Sequence, residues 1–355
     1  MMSPSQIKAC SVSPRVVAWE VTRRCPLACR HCRAGACDVP YEGELTTAEC
    51  ARVMDSLATL TPPPMIIWTG GEPMSRADIL DLVRHATAKG LRSVMAPCGM
   101  MVTPESLAAL RGAGVMACSF SLDGATAETH DAFRGIEGAF NIVTRAMDVA
   151  VSVEMPFQVN CTVSQINRAE LPAIRDIAIA RGAKTLDLFF LVPVGRGRDL
   201  RDVSLPPTDT EAVLRWAFEM DARGPLRVRA TCAPQSIRIW HALGGPGVKP
   251  AGCMGGRTFV FISHTGILQP CGFLDVPSGD LREHGFDFNR AYGASPVFKD
   301  LLNPDNYGGA CGTCAFRRDC GGCRARAYAA TGDYMAAETS CPLNANDRHG
   351  CDRRE

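Results

Sequence analysis

The sequence predicts an α/β chain, a partial (β/α)6 TIM-type barrel followed by a C-terminal cysteine-rich extension. Two observations carry this. From residue 16 to about 222, apolar strand-like runs alternate with helix-like stretches, the pattern of successive βαβ units on a parallel sheet. Beyond residue 252 that alternation stops, and cysteines gather at short spacings instead. The expected division is a leader at 1–15, the barrel at 16–222, a Pro/Gly-rich linker at 223–252 and the extension at 253–355.

The expected strands are 16–21, 65–69, 91–96, 115–121, 155–163 and 184–192, each a short run rich in apolar or β-branched residues. Helical patterns fall at 46–60, 77–89, 104–112, 138–151, 167–181 and 209–222. Thr46 with Glu49, and Thr103 with Pro104, read as helix starts, because a hydroxyl cap is followed by an early acid or proline. Six such units make a partial barrel, and parallel barrels bind ligands at the C-terminal ends of their strands.

Composition narrows the function. The chain has 355 residues, 46% apolar, with 38 Lys+Arg against 37 Asp+Glu. That balance gives no reason to expect nucleic acid as a partner. No apolar run is long enough for a membrane span, and no signal peptide is evident. Eighteen cysteines without a secretion signal argue for metal ligation in a reducing cytoplasm rather than for disulfides.

The chemistry concentrates after the first strand. Cys25, Cys29 and Cys32 are separated by three and then two residues, so three thiolates can wrap one compact cluster. A zinc knuckle would use the same spacing. Gly70, Gly71, Glu72 and Pro73 end the second strand, where two glycines allow close backbone approach and a carboxylate can accept from an ammonium group. Ser119 and Ser121 share one face of the fourth strand, and Asn160 and Thr162 one face of the fifth. The sixth strand runs into Leu191 and a Gly195-Arg196-Gly197-Arg198 segment. In the extension stand Cys253, Cys271, Cys311, Cys314, Cys320, Cys323 and Cys341, a set that suits either zinc or iron–sulfur sites.

Taken together, these segments resemble the radical S-adenosylmethionine (SAM) superfamily. The resemblance implies a 4Fe–4S cluster on Cys25, Cys29 and Cys32, with one iron open to SAM. It places Gly70–Pro73 at the methionine amino group, Ser119 and Ser121 at the carboxylate and ribose, Asn160 on the cofactor side and Leu191 at the adenine. His130-Asp131-Ala132-Phe133-Arg134-Gly135 resembles a segment of SPASM-type members, and the extension resembles their SPASM/twitch domain. By that likeness Cys311, Cys314, Cys320 and Cys341 hold one auxiliary 4Fe–4S cluster, and Cys253, Cys271 and Cys323 contribute to another. Relatives place a fourth ligand six residues after the first of these, where this chain has Phe259. That site is open, filled by Cys232, or absent.

A finer likeness runs through Val17–Cys25, Thr231–Pro234, Phe261–His264, Gln269–Gly272, Cys320–Tyr328 and Thr331–Tyr334. These segments are similar to the radical SAM heme synthases of the siroheme-dependent pathway. The implied reaction is oxidative decarboxylation of two propionates of Fe-coproporphyrin III to vinyl groups, giving heme b. Relatives that remove acetate side chains, act in heme d1 biosynthesis or modify peptides share the same clusters. The implied partners are an anionic iron-porphyrin and a reducing donor such as flavodoxin or ferredoxin. Arg23, Arg24, Arg30, Arg33, Arg196, Arg198, Arg257, Arg324 and Arg326 are candidates for propionate binding, since a guanidinium fork matches a carboxylate. His31 and His264 are further candidates.

Overall fold

The computed structural model describes residues 13–245 and 247–344. Most of the expected leader lies outside them, as do Cys10 and Cys351.

The first strand, β1 (Val16–Thr22), is buried along almost its whole length, as its apolar run, broken only by Glu20 before Val21, anticipates for a strand covered on both faces. A long cysteine-bearing loop leads to α1 (Thr47–Leu57). There Thr46 Oγ1 accepts from the Glu49 N–H at 3.3 Å, and Glu49 Oε2 accepts from the Thr46 N–H at 2.8 Å. This reciprocal cap satisfies two backbone donors at the helix start. Next come β2 (Met65–Gly70), α2 (Ile79–Ala88), β3 (Arg92–Met95) and α3 (Pro104–Ala113). Thr103 caps α3 with Pro104 at its first position, as expected, though the reciprocal partner is Ser106.

Beyond β4 (Val115–Ser121) the chain inserts a short helix, α4 (Ala127–Arg134), before α5 (Ala139–Ser152). The sequence reading treated this stretch as a motif and drew no helix. Eight residues with a weak apolar stripe leave little periodicity to detect. Then follow β5 (Phe157–Val163), α6 (Leu171–Ala180), β6 (Thr185–Phe190) and α7 (Pro207–Arg223).

The segment 223–252, read as a linker, holds β7 (Arg227–Thr231) and α8 (Ser236–Ala242). The extension then supplies β8 (Phe259–Ile262), β9 (Ile267–Gln269) and β10 (Gly279–Asp280). The helices α9 (Phe288–Ala294), α10 (Pro296–Leu302), α11 (Gly309–Thr313) and α12 (Arg324–Thr331) complete it.

The ten strands among the described residues form one sheet in the order β10-β9-β8-β1-β2-β3-β4-β5-β6-β7. Strands β1 to β7 are parallel to their neighbours, and β8 pairs parallel with β1, Val16 lying opposite Phe259. The extension is therefore joined to the barrel through a shared sheet. Its outer faces are dry. Trp19 and Trp68, both fully buried, stack at 5.8 Å, and Trp68 Nε1 donates to Ser93 Oγ at 3.0 Å.

The opposite face is polar where β4 to β7 run side by side. In β5 the buried residues Phe157, Val159, Cys161 and Val163 alternate with half-buried Gln158, Asn160 and Thr162. Register aligns Ser119 with Gln158, and Ser121 with Asn160, Asp187 and Arg229 across four strands.

Candidate active site

The three predicted cysteines come together just past β1. Cys25 and Cys29 are buried in one apolar cluster with Leu27 and Ala36, against which Cys32 and Cys98 pack. Backbone ties fold the loop onto itself: the Cys25 N–H donates to Cys37 O at 3.0 Å and the Cys32 N–H to Cys29 O at 3.2 Å. The loop is also clamped from across the sheet. Arg196 donates to Cys32 O through its N–H at 3.0 Å, to Cys29 O through Nε at 2.9 Å and to Ala36 O through Nη1 at 2.7 Å. Gly195 sits at φ 55°, and a Cβ there would stand 2.2 Å from Arg33 O. Only glycine fits that turn.

The glycines of the second motif have a similar purpose. A Cβ on Gly70 would lie 2.1 Å from Thr22 O, and one on Gly71 would lie 2.2 Å from Arg24 O. The close approach is thus to the backbone that leads into Cys25, fastened by Gly71 N–H to Thr22 O at 2.8 Å and Glu72 N–H to Arg24 O at 2.7 Å. Glu72 is fully buried. Its carboxylate accepts from the Met74 N–H at 2.8 Å and the Cys98 N–H at 2.5 Å, linking the loops after β2 and β3. Burial pushes its pKa up, partly offset by those bonds. Pro73 begins the short turn that Glu72 caps.

Beneath the cysteine loop lies a network that the sequence did not announce. Arg134, at the end of α4, stands with Nη2 2.7 Å from Asp123 Oδ2, a charge contact lying off the hydrogen-bonding axis. Its Nη1 donates to Cys29 Sγ at 3.6 Å. Asp123 is fully buried and accepts from the Thr162 N–H through Oδ1 at 2.6 Å. Burial would raise its pKa, but Arg134 and the nearby histidines hold it below the usual range. His31 stacks on Phe133 at 4.6 Å, and burial keeps it neutral, with a pKa of about 4.

Ser121 lines a small cavity with Leu27, Cys98, His130 and Arg134. Ser119 is buried one register step further in. Asn160 Oδ1 accepts from Gln158 Nε2 at 2.7 Å. Leu191 packs with Phe133 and Leu200 at the end of β6, and its carbonyl accepts from Arg326. Alongside Asn160, Arg229 Nη2 donates to Gln158 and Asp187 at 3.1 and 3.0 Å, and Thr231 donates to Asp187 at 2.7 Å. Arg229 and Thr231 sit in the presumed linker, which is why sequence reading missed them.

Most of the candidate arginines are already committed. Arg23 and Arg33 pair with Glu20, which also accepts from His264 at 2.8 Å. Burial alone would raise the pKa of Glu20, yet Arg33, His264 and Arg23 hold it near 2. Arg24 pairs with Asp38, and Arg324 donates to the Tyr334 and Ala336 carbonyls. Arg326 pairs with Glu338. Arg30, Arg198 and Arg257 make no side-chain hydrogen bond or ion pair among the described residues. Among the described residues, three of the buried nitrogens that lack a partner belong to the cysteine loop and the arginine that clamps it: His31 Nδ1, Arg33 Nη2 and Arg196 Nη2. Unpaired buried donors flanking one loop are what an incoming acceptor would satisfy.

In the extension, Cys311 Sγ accepts from the Glu338 N–H at 3.3 Å and Arg324 Nη2 at 3.5 Å. Cys314 Sγ accepts from the Phe316 N–H and Cys320 Sγ from the Gly322 N–H, both at 3.4 Å. Burial pushes the Cys320 thiol up, and Cys341, Cys311 and Cys314 are close enough to push it further. Cys271 and Cys323 fall in a separate apolar cluster with Cys232. Burial also raises Cys253, beside Cys323.

Residues 19–176 match the family model described as the Radical SAM superfamily. An AdoMet-dependent heme synthase of Methanosarcina barkeri is 41% identical over 341 residues, covering 93% of this chain and 96% of that protein. The chain belongs to the radical SAM superfamily. A second AdoMet-dependent heme synthase, from Oleidesulfovibrio alaskensis, is 38% identical across 100% of this chain and 94% of its own. Streptococcus suis SuiB bound to S-adenosylmethionine shares the fold, with a TM-score of 0.72 at 13% identity, over 93% of this chain and 77% of that one.

A radical SAM chain carries a 4Fe–4S cluster and SAM, and the residues here fit them. The Cys25 thiol, pushed up to about 12 by burial and by Cys29, stays protonated unless a cationic centre draws off its proton. N–H donors already point at several sulfurs, the kind of hydrogen bond that tunes an iron-bound thiolate. No three Cys, His, Asp or Glu side chains among the described residues converge on one ion. A cluster asks something different, because each thiolate holds its own iron.

Proposed function

We propose that this chain oxidatively decarboxylates two propionates of an iron-bound coproporphyrin to vinyl groups, completing heme b. The observation that carries the proposal is full-length identity of 38–41% to proteins named AdoMet-dependent heme synthase. Cys25, Cys29 and Cys32 would hold the SAM-binding cluster. Gly70, Gly71, Glu72, Ser119, Ser121, Asn160 and Leu191 would line the SAM site. When bound there, the cluster and SAM supply a carbon-centred oxidant able to take a hydrogen atom from an unactivated carbon.

The chain's own residues set the conditions. Gly70 and Gly71 after β2, and Gly195 after β6, let two loops close on the cysteine backbone, and Arg196 fixes its carbonyls. Arg134, held by Asp123, places a positive charge on Cys29. Each propionate loses one hydrogen atom, one CO2 and one electron in becoming a vinyl group, so the reaction needs an electron sink. Cys311, Cys314, Cys320 and Cys341 would hold a cluster with suitable redox range. Arg30, Arg198 and Arg257 are the guanidiniums left for carboxylates. An outside donor of the flavodoxin or ferredoxin class would reduce the first cluster. No described helix is long and apolar enough to cross a membrane, and a reducing cytoplasm suits the thiol set.

The test is anaerobic incubation of the reconstituted protein with SAM, dithionite and Fe-coproporphyrin III, read by mass spectrometry. Loss of two carboxyl groups and two further hydrogens (two CO2 and four hydrogens in all) supports the proposal. SAM turnover with unchanged porphyrin, but with a modified peptide, would assign the chain to the peptide-modifying relatives instead.

A further inference from the structure

Cys253, Cys271 and Cys323 leave a fourth position in question, because Phe259 stands where relatives carry a ligand. Phe259 is committed to β8, opposite Val16 of the barrel. Cys232 directly follows β7 and is held at φ 60°, one of three described non-glycine residues in the left-handed region. A side chain there costs about 1 kcal/mol or more. A buried apolar filler gives no reason to bear that cost, since glycine would make the turn freely.

What the turn achieves is placement of sulfur. The Cys232 thiol lies beside that of Cys323, and both pack with Cys271 in one apolar cluster. The two backbones are locked by a single ion pair. Cys232 O accepts from Arg326 Nη2 at 3.0 Å, Arg326 Nη1 lies 3.1 Å from Glu338 Oε2, and that oxygen accepts from the Cys323 N–H at 2.7 Å. Arg326 also donates to the Phe190 and Leu191 carbonyls, so the site is braced against the end of β6.

We propose that Cys232 supplies the fourth thiolate to an auxiliary cluster held by Cys253, Cys271 and Cys323. The proposal rests on the iron–sulfur reading of that site. Four thiolates close it, leaving no iron open to substrate, so the cluster carries electrons and does not bind porphyrin.

The test compares the full chain, anaerobically reconstituted, as parent, Cys323→Ala and Cys232→Gly. Glycine accepts the left-handed turn without strain, which protects folding, and circular dichroism checks it. Iron and sulfide are counted, and EPR spectra are taken oxidised and dithionite-reduced. The expected result is that Cys323→Ala loses about four irons. Cys232→Gly then loses the same cluster, or sheds one iron and shows a three-iron EPR signal when oxidised. Cys232→Ser, which keeps the volume, should shift the EPR signal of that cluster alone, and it decides the matter if the glycine variant does not fold. Parental iron and EPR in both Cys232 variants, while Cys323→Ala loses the cluster, overturns the Cys232 assignment alone. Parental iron in Cys323→Ala as well removes the auxiliary cluster and the assignment with it.

Discussion

Replacing Asp123 with alanine tests the support beneath the cysteine loop. Asp123 is fully buried, and Arg134 is only 12% exposed at its side chain. Removing one member of a buried ion pair costs about 3–5 kcal/mol, since the other charge is stranded. Here the Thr162 N–H also loses its acceptor, so a value near 4 kcal/mol is expected. Unfolding entropy of about 2.1 cal/mol/K per residue gives roughly 0.75 kcal/mol/K for 355 residues. The melting temperature should therefore fall by about 5 °C. Anaerobic scanning calorimetry of the cluster-loaded protein measures this, with Arg134→Leu and the Asp123→Ala/Arg134→Leu double variant completing a cycle. The double variant should lose clearly less than the two single losses added, because it strands no charge. A fall below about 1 °C for Asp123→Ala, or full additivity, would refute the reasoning.

Three other outcomes are expected. Glu20 is held near pH 2, below its unfolded value of about 4.5, so its contribution is present above pH 4.5 and lost as pH falls toward 2. At 1.36 kcal/mol per pH unit this is about 3 kcal/mol, and the stability gap between parent and Glu20→Gln should close between pH 6 and 2 in denaturant titrations. Gly71→Ala should cost about 2 kcal/mol by breaking two backbone hydrogen bonds, and should lower iron bound at the first site; parental iron content and stability would contradict the steric argument. Cys314→Ala should still cleave SAM in the presence of porphyrin yet yield little vinyl product, which chromatography of both products would show.

The parts of this chain legible in the sequence were those set by local spacing. Cys25, Cys29 and Cys32 lie within one loop, so their gaps alone predict a shared site. Thr46 with Glu49 fixes a helix start within four residues. Gly70 and Gly71 were legible as a place of close approach, but not what approaches, because Arg24 O comes from another strand's loop. The arginines were least legible. Arg196 and Arg326 look identical to Arg198 in sequence, yet the first two are spent on carbonyls and a carboxylate distant in the chain. Strand β7 was missed because Arg227-Val228-Arg229 is an edge segment with charged alternate positions. Cys232 was visible only as one of three options until the left-handed turn and its contact with Cys323 were seen.

The central claim is removal of a hydrogen atom from the propionate carbon next to the ring, followed by loss of CO2. Anaerobic turnover of Fe-coproporphyrin III deuterated at that carbon, with unlabelled SAM, tests it most directly. The account predicts deuterium in the released 5′-deoxyadenosine and a porphyrin lighter by two carboxyl groups. Deuterium-free 5′-deoxyadenosine, with all four propionates intact, would contradict it.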